Sequence, residues 1–253
     1  MDNPFTLQNK TIIVTGASSG IGRACAIQYS RFGANVILLG RNTDRLEETL
    51  AQMTQTNFHK IVSVDLGDFE SLEAILKSEL NGIFIDGFIH CGGISSTTPL
   101  RALTPEKMEE FFRVNYISAI QICKIISKPQ YLNKTGASYV FLSSVMGHVG
   151  ELGKTIYSGT KGALLSSTKS LALELASKKI RVNCISPGVI LTPMTQAQAY
   201  TQNEESLKKI KELHPLGLGT VNDIANASQF LLSDSASWIT GTSLIVDGGY
   251  TAK

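Results

Sequence analysis

Apolar positions along this chain fall into two alternating patterns. Short runs rich in β-branched residues read as fully buried strands: residues 10–15 (KTIIVT), 35–39 (NVILL), 61–64 (IVSV), 84–91, 138–142 (SYVFL), 181–186 and 244–246. Between them apolar residues recur at helical spacing, over 24–32, 43–56 and 69–80. A further helix opens with the cap-and-proline pair Thr104-Pro105 and runs on through Tyr116. Asn115 is a polar residue inside that last apolar stretch. It needs a hydrogen-bond partner, or it kinks the helix around a water. Strands alternating with helices predict an α/β fold.

Composition narrows the classes. A chain of 253 residues with 43% hydrophobic residues buries a large core, and sheet-and-helix folds of this size form one unit. The expectation is a single domain over 1–253. A net charge of +2 without a basic block argues against nucleic acid and against an anionic membrane surface. The first residues lack the basic-then-apolar pattern of a secretory signal. No apolar run approaches the roughly 18 residues that span a bilayer. The four cysteines (Cys25, Cys91, Cys123 and Cys184) are scattered without a CxxC pair. They read as free thiols in a reducing cytoplasm. His90 and Cys91 have no partner at ligand spacing, so no metal site is expected.

The chemistry concentrates at strand ends. After the first strand the chain reads Thr15-Gly16-Ala17-Ser18-Ser19-Gly20-Ile21-Gly22 and enters a helix. That context lets backbone N–H groups face a phosphate at a helix N-terminus. Gly16 suits the tight turn, Gly20 the approach of a pyrophosphate, and Gly22 close helix–strand packing. At the end of the second strand, where dinucleotide folds meet the adenosine ribose, no acid follows. Gly40-Arg41 stands there instead, and Arg41 can hold a 2′-phosphate bidentately. NADP(H) is therefore favoured over NAD(H). Asp65, before Leu66, could accept from an adenine amino group or cap the following turn. Cys91-Gly92-Gly93 lets backbone approach a ligand after the fourth strand. Ser144 follows the fifth strand, at the end where open α/β sheets bind ligands. Tyr157 and Lys161 stand four apart, one turn apart on one helical face. A fixed ammonium beside a phenol favours the phenolate, which makes the pair a proton donor and acceptor for a carbonyl/alcohol interconversion. No Gly-x-Ser-x-Gly elbow surrounds Ser144, which argues against a nucleophilic serine.

In this order and spacing, TGASSGIG at 15–22, DLGD at 65–68, RVN at 113–115, SS at 143–144, YSGTK at 157–161, PG at 187–188 and ITGTSLIVDGG at 239–249 resemble the short-chain dehydrogenase/reductase family. The resemblance covers nearly the whole chain. It implies a Rossmann-like, doubly wound seven-stranded parallel sheet in the order 3-2-1-4-5-6-7. It maps a catalytic set onto Asn115, Ser144, Tyr157 and Lys161. It adds the turn Pro187, Gly188, Val189 and Ile190 to the cofactor contacts, with Thr192 on the nicotinamide carboxamide. One departure is His90-Cys91-Gly92-Gly93, where the family usually has Asn-Asn-Ala-Gly. It places the local hydrogen bonding in question. The polar segment at 192–216 matches the family's substrate lid. Ile94, Ser95, Met146, His148, Leu152, Val189 and Tyr200 are pocket candidates alongside Ser144 and Tyr157. Length and C-terminal pattern are similar to 3-oxoacyl-carrier-protein reductases, whose substrate rides on an acidic acyl carrier protein. A sugar, polyol or other ketone substrate, or an NAD-dependent alcohol dehydrogenase, stays open. A non-catalytic nucleotide-sensing scaffold would be expected to have lost Tyr157 or Lys161. The family also implies a homotetramer or homodimer, paired through helices near 105–129 and 155–179 and the last strand.

Overall fold

The computed structural model describes residues 3–196 and 203–252. Seven strands form one sheet: β1 (Thr11–Thr15), β2 (Asn35–Gly40), β3 (His59–Ser63), β4 (Gly87–His90), β5 (Ala137–Leu142), β6 (Ile180–Pro187) and β7 (Ser243–Val246). Their order is β3-β2-β1-β4-β5-β6-β7, and every neighbouring pair is parallel. The helices are α1 (Gly20–Arg31), α2 (Thr43–Ala51), α3 (Phe69–Glu79), α4 (Pro105–Phe112), α5 (Ser118–Ile126), α6 (Thr155–Glu174), α7 (Pro193–Gln196), α8 (Glu204–Glu212) and α9 (Val221–Leu232).

The continuous apolar runs follow from burial on both faces. Along β1 and β2, Ile13, Ile37 and Leu39 enter a core shared with α3, α5 and α6. Their neighbours Ile12, Val14, Val36 and Leu38 enter the opposite core, with Tyr29 of α1 and Ile224 of α9. A strand so covered has no polar face to display. Gly87 shows how closely the layers approach. A Cβ there would lie 3.1 Å from both Ile12 Cγ1 and Leu232 Cδ2.

Three boundaries differ from the sequence reading. β4 is shorter than 84–91, because Phe84 is largely exposed and Ile85 only bridges to Leu132. The helix over 43–56 ends at Ala51. The long helix after Pro105 is interrupted: Arg113–Ile117 is one π-helical turn between α4 and α5. Leu164, Leu175, Leu231 and Leu232 lie in the core, so these residues are not free to pair identical chains. Among the described residues, no helix is long and apolar enough to cross a membrane.

Chain order reverses at β1, whose neighbours are β2 and β4. Crevices at the carboxyl ends of strands open at such a switch point, and the candidate site lies there.

Candidate active site

A groove of about 430 Å³ runs along the carboxyl ends of the strands. Its first third is the glycine turn. Gly16 and Gly20 hold φ of +65° and +53°, where a side chain is strained. A Cβ on Gly22 would lie 2.3 Å from the Gly16 carbonyl oxygen, so α1 packs directly on the turn that precedes it. Ser19 is the N-cap of α1, yet no side chain caps the helix and no acid stands in its first turn. Its positive end opens into the groove beside Ser18, Ser19, Gly20 and Ile21. The donor set and the missing side chains fit a pyrophosphate.

Arg23, which the sequence reading missed, braces this turn from behind. Its Nη2 donates to the Ser18 carbonyl (2.7 Å) and to Glu48 (2.9 Å), and its Nε donates to Thr49 Oγ1 (3.0 Å). Thr49 in turn donates to the Ala17 carbonyl at 2.9 Å. An arginine one residue past a glycine motif carries no sequence sign of facing away from the ligand.

The adenosine end is lined by Gly40, Arg41, Asp65 and Leu66, with Arg45 joining them. Arg45 was also missed, although its place four residues after Arg41 on α2 was legible. Arg41 is exposed and stands 3.8 Å from Asp65 Oδ2. Asp65 Oδ1 accepts from the Gly67 N–H at 2.8 Å, so it does cap the following turn.

The His90-Cys91-Gly92-Gly93 departure is resolved by Thr15. Its Oγ1 accepts from the N–H groups of Cys91 and Gly92, both at 3.1 Å. Its own proton is then left for His90 Nδ1, at 3.1 Å. That places the ring proton on Nε2, which faces the Val114 carbonyl without a well-formed hydrogen bond. Burial, reinforced by the charge of Lys161 and opposed by the Val114 carbonyl, pushes the His90 pKa down to about 3. The ring is a neutral spacer. Cys91 lines the groove, and all four cysteines are free thiols.

Asn115 lies behind the groove, fully buried in the π turn. Its Oδ1 accepts from the Ile94 N–H (2.7 Å), and its Nδ2 donates to the Ile94 carbonyl (3.0 Å) and to Thr160 Oγ1 (3.1 Å). The polar intruder thus has its partners, and the helix is bulged as well. It ties the groove wall at Ile94 to α6 one residue before Lys161.

Lys161 is 5% exposed and donates to the Leu142 carbonyl at 2.7 Å. Its ammonium lies 5.6 Å from the Tyr157 ring centroid. Burial lowers its pKa to about 8. Ser143 donates to the Lys161 carbonyl at 2.9 Å, fastening α6 to the end of β5. Ser144 Oγ accepts from the Met146 N–H at 3.1 Å, which leaves the Ser144 hydroxyl proton as a donor. Ser144, Tyr157 and Lys161 all line the groove, as do Gly92, Gly93 and Ile94.

At the far wall stand Pro187, Gly188, Ile190 and Thr192. Thr192 Oγ1 accepts from the Thr195 N–H at 3.2 Å, which opens α7. Val189 is turned out of the lining. Its N–H donates to Nε2 of the buried His214 at 3.2 Å, and His214 Nδ1 donates to the Ile210 carbonyl at 2.7 Å. Ser95, Met146, His148 and Leu152 are also not part of the lining. Met146 is buried, Leu152 is 94% exposed, and His148 pairs through Nε2 with Ser186 Oγ at 2.9 Å. Tyr200 lies outside the described residues.

This fold, with a glycine turn and a Ser–Tyr–Lys cluster on one groove, defines a class of nucleotide-dependent oxidoreductases. The comparisons with known proteins agree. A family model described as Enoyl-(Acyl carrier protein) reductase matches residues 16–251. Carbonyl reductase (NADPH) 2 of Sus scrofa is 35% identical over 95% of this chain and 96% of its own. The 3-oxoacyl-acyl-carrier-protein reductase FabG of Chlamydia trachomatis serovar D is 36% identical, over 96% of this chain and 98% of its own. A solved structure from Agrobacterium tumefaciens with bound NADP, described as a candidate 2-deoxy-D-gluconate 3-dehydrogenase, superposes with a TM-score of 0.90. It is 29% identical and covers all of both chains. The chain belongs to the short-chain dehydrogenase/reductase family, and is an NAD(P)-dependent oxidoreductase acting on CH–OH groups.

Proposed function

We propose that the protein reduces a ketone to a secondary alcohol with NADP(H) in preference to NAD(H). The observation that carries this is the convergence of Ser144, Tyr157 and Lys161 on the groove that also holds the glycine turn. The nicotinamide cofactor supplies the hydride when bound. The Tyr157 hydroxyl gives its proton to the developing alkoxide. The Ser144 hydroxyl, which accepts from the Met146 N–H through one lone pair and keeps its proton free, donates to the same oxygen and orients it. Lys161 sets a positive charge beside the phenol and holds the nicotinamide ribose. Asn115 acts through Ile94 and Thr160 by fixing the wall and α6 relative to each other. Thr192 meets the carboxamide. Arg41 and Arg45 supply two cations at the ribose end of β2, where an acid would favour NAD.

A 3-oxoacyl group on acyl carrier protein is one substrate of this reading, supported by the FabG relative. A sugar acid or polyol is the second, supported by the gluconate-type neighbour with bound NADP; the NAD form of this reading rests on the loose 3.8 Å pairing of Arg41 with Asp65 alone. The segment 192–216 serves as the lid of the single domain. Leu173 and Trp238, 83% and 98% exposed, offer apolar surface for pairing of identical chains into dimers or tetramers. A ketone panel with both cofactors, including an acyl thioester, tests the reading. Tyr157→Phe is expected to lower turnover by about 100-fold or more, within the range for a lost general acid, while NADPH binding holds. Retention of most activity would overturn the assignment.

A further inference from the structure

Lys154 is a cation that the reaction described so far does not use. It is 5% exposed. Its ammonium makes no ion pair among the described residues. Its hydrogen bond is to the Ser96 carbonyl, at the long distance of 3.5 Å. An ammonium carries three donors, and burying it without a counter-ion is costly. Burial accordingly lowers its pKa, and the more distant Glu151 offsets part of this.

Its position gives the burial a purpose. Lys154 is the N-cap of α6 and precedes Tyr157 by three residues, so the two share a helical face one turn apart. It is covered by the segment that continues the groove wall from Ile94. There the Thr98 N–H donates to the Gly153 carbonyl at 2.8 Å, and the Ser96 and Thr98 hydroxyls pair at 2.9 Å. An independent feature adds to the same charge. α6 has twenty residues, no side-chain cap and no acid in its first turn. The positive end of its dipole stands uncompensated beside a buried ammonium.

We propose that Lys154 and the α6 N-terminus form an anion subsite that holds a carboxylate of the ketone substrate, making the natural substrate an oxo acid. The Ser96 and Thr98 hydroxyls supply its polar wall. The inference rests on the reading of Tyr157 as proton donor, because that fixes where the ketone lies. The carboxylate then sits a few bonds from the carbonyl, within reach of a lysine one turn away.

Calorimetry on the complex of the protein with NADP+ tests it without turnover. The probes are 4-oxopentanoate and its methyl ester, against wild type, Lys154→Met and Lys154→Arg. The acid is expected to bind wild type about tenfold tighter than the ester, a factor typical of one charge-assisted contact. Lys154→Met is expected to remove that preference while the ester affinity holds, and Lys154→Arg to restore most of it. Equal binding of acid and ester by wild type overturns the proposal, as does no measurable binding of the acid. Equal weakening of both ligands by Lys154→Met assigns the lysine a structural role and overturns it too. Lys154→Gln replaces Lys154→Met if the latter fails to fold, with the same outcomes. Tyr157→Phe separates this proposal from the reaction it rests on. Carboxylate binding survives in that variant if the subsite stands, while retained turnover there would remove the reaction and leave the subsite.

Discussion

Helices α1 and α6 begin differently from α2, α3, α4, α8 and α9; α5 continues from the π turn and has no free start. α2, α3, α4 and α8 open on a side-chain cap (Asn42, Asp68, Thr104 and Asn203), and each has an acid in its first turn. α9 opens with the Asp223 carboxylate reaching back to the Thr220 N–H at 2.7 Å. α1 and α6 have neither cap nor acid. α1 opens into the groove, and α6 brings Tyr157 and Lys161 to it. A capped helix has its positive end answered from within the chain, whereas these two are left for a ligand to answer. The two differ in what stands beside that end. At α1 three glycines bring backbone close, which suits a diffuse pyrophosphate. At α6 a buried lysine adds a point charge, which suits a compact carboxylate.

The largest expected effect breaks the α1 side. In Gly22→Ala the new Cβ falls 2.3 Å from a backbone oxygen, so α1 must move away from the turn. The expected loss of NADPH affinity is about 100-fold, equivalent to roughly 2.7 kcal/mol, with an overpacking cost of about 1–3 kcal/mol to the fold. Fluorescence titration and thermal melting check both. Unchanged affinity would show that the cofactor does not rest on this helix end.

Arg41→Ala is a smaller perturbation of the same half. Loss of a charged contact to a 2′-phosphate is expected to weaken NADPH by about 10- to 50-fold and to leave NADH within about twofold. Equal losses in the two titrations would show that Arg41 makes no 2′-phosphate contact. They would shift the cofactor preference to Arg45 or to NAD.

The two helix ends were unequally legible in the sequence. Around α1 the signal is local: a β-branched strand, three glycines and a helix in sequence, so both the element and its ligand class follow from adjacent residues. Around α6 only the Tyr157–Lys161 spacing is local. Lys154 reads as one more surface lysine until the 94–98 segment folds over it. That contact joins residues more than fifty positions apart. Asn115 shows the same limit from the other side. Its burial in an apolar helix announces a partner, but the partner, the Ile94 backbone, is fixed only once α4 bulges into a π turn. His90 needed Thr15 across the sheet, and Arg23 needed α2 behind it. The strand order itself came from resemblance, since periodicity gives strands but not neighbours.

The smallest expected effect sharpens the comparison most. Thr155 is exposed in the first turn of α6, so Thr155→Asp gives this helix the acid that α2, α3, α4, α8 and α9 already have. A carboxylate there answers the dipole and partly neutralises Lys154. Stability is expected to rise by about 0.3–1 kcal/mol, or about 1–4 °C for a chain of this size. Affinity for 4-oxopentanoate is expected to fall several-fold, with NADPH affinity unchanged because α1 is untouched. Stability and anion binding would then move in opposite directions at one residue, the behaviour of a helix end kept open for a ligand. If both rise or neither moves, the bare start of α6 has no ligand to answer it, and the likeness between the two helices ends with their sequences.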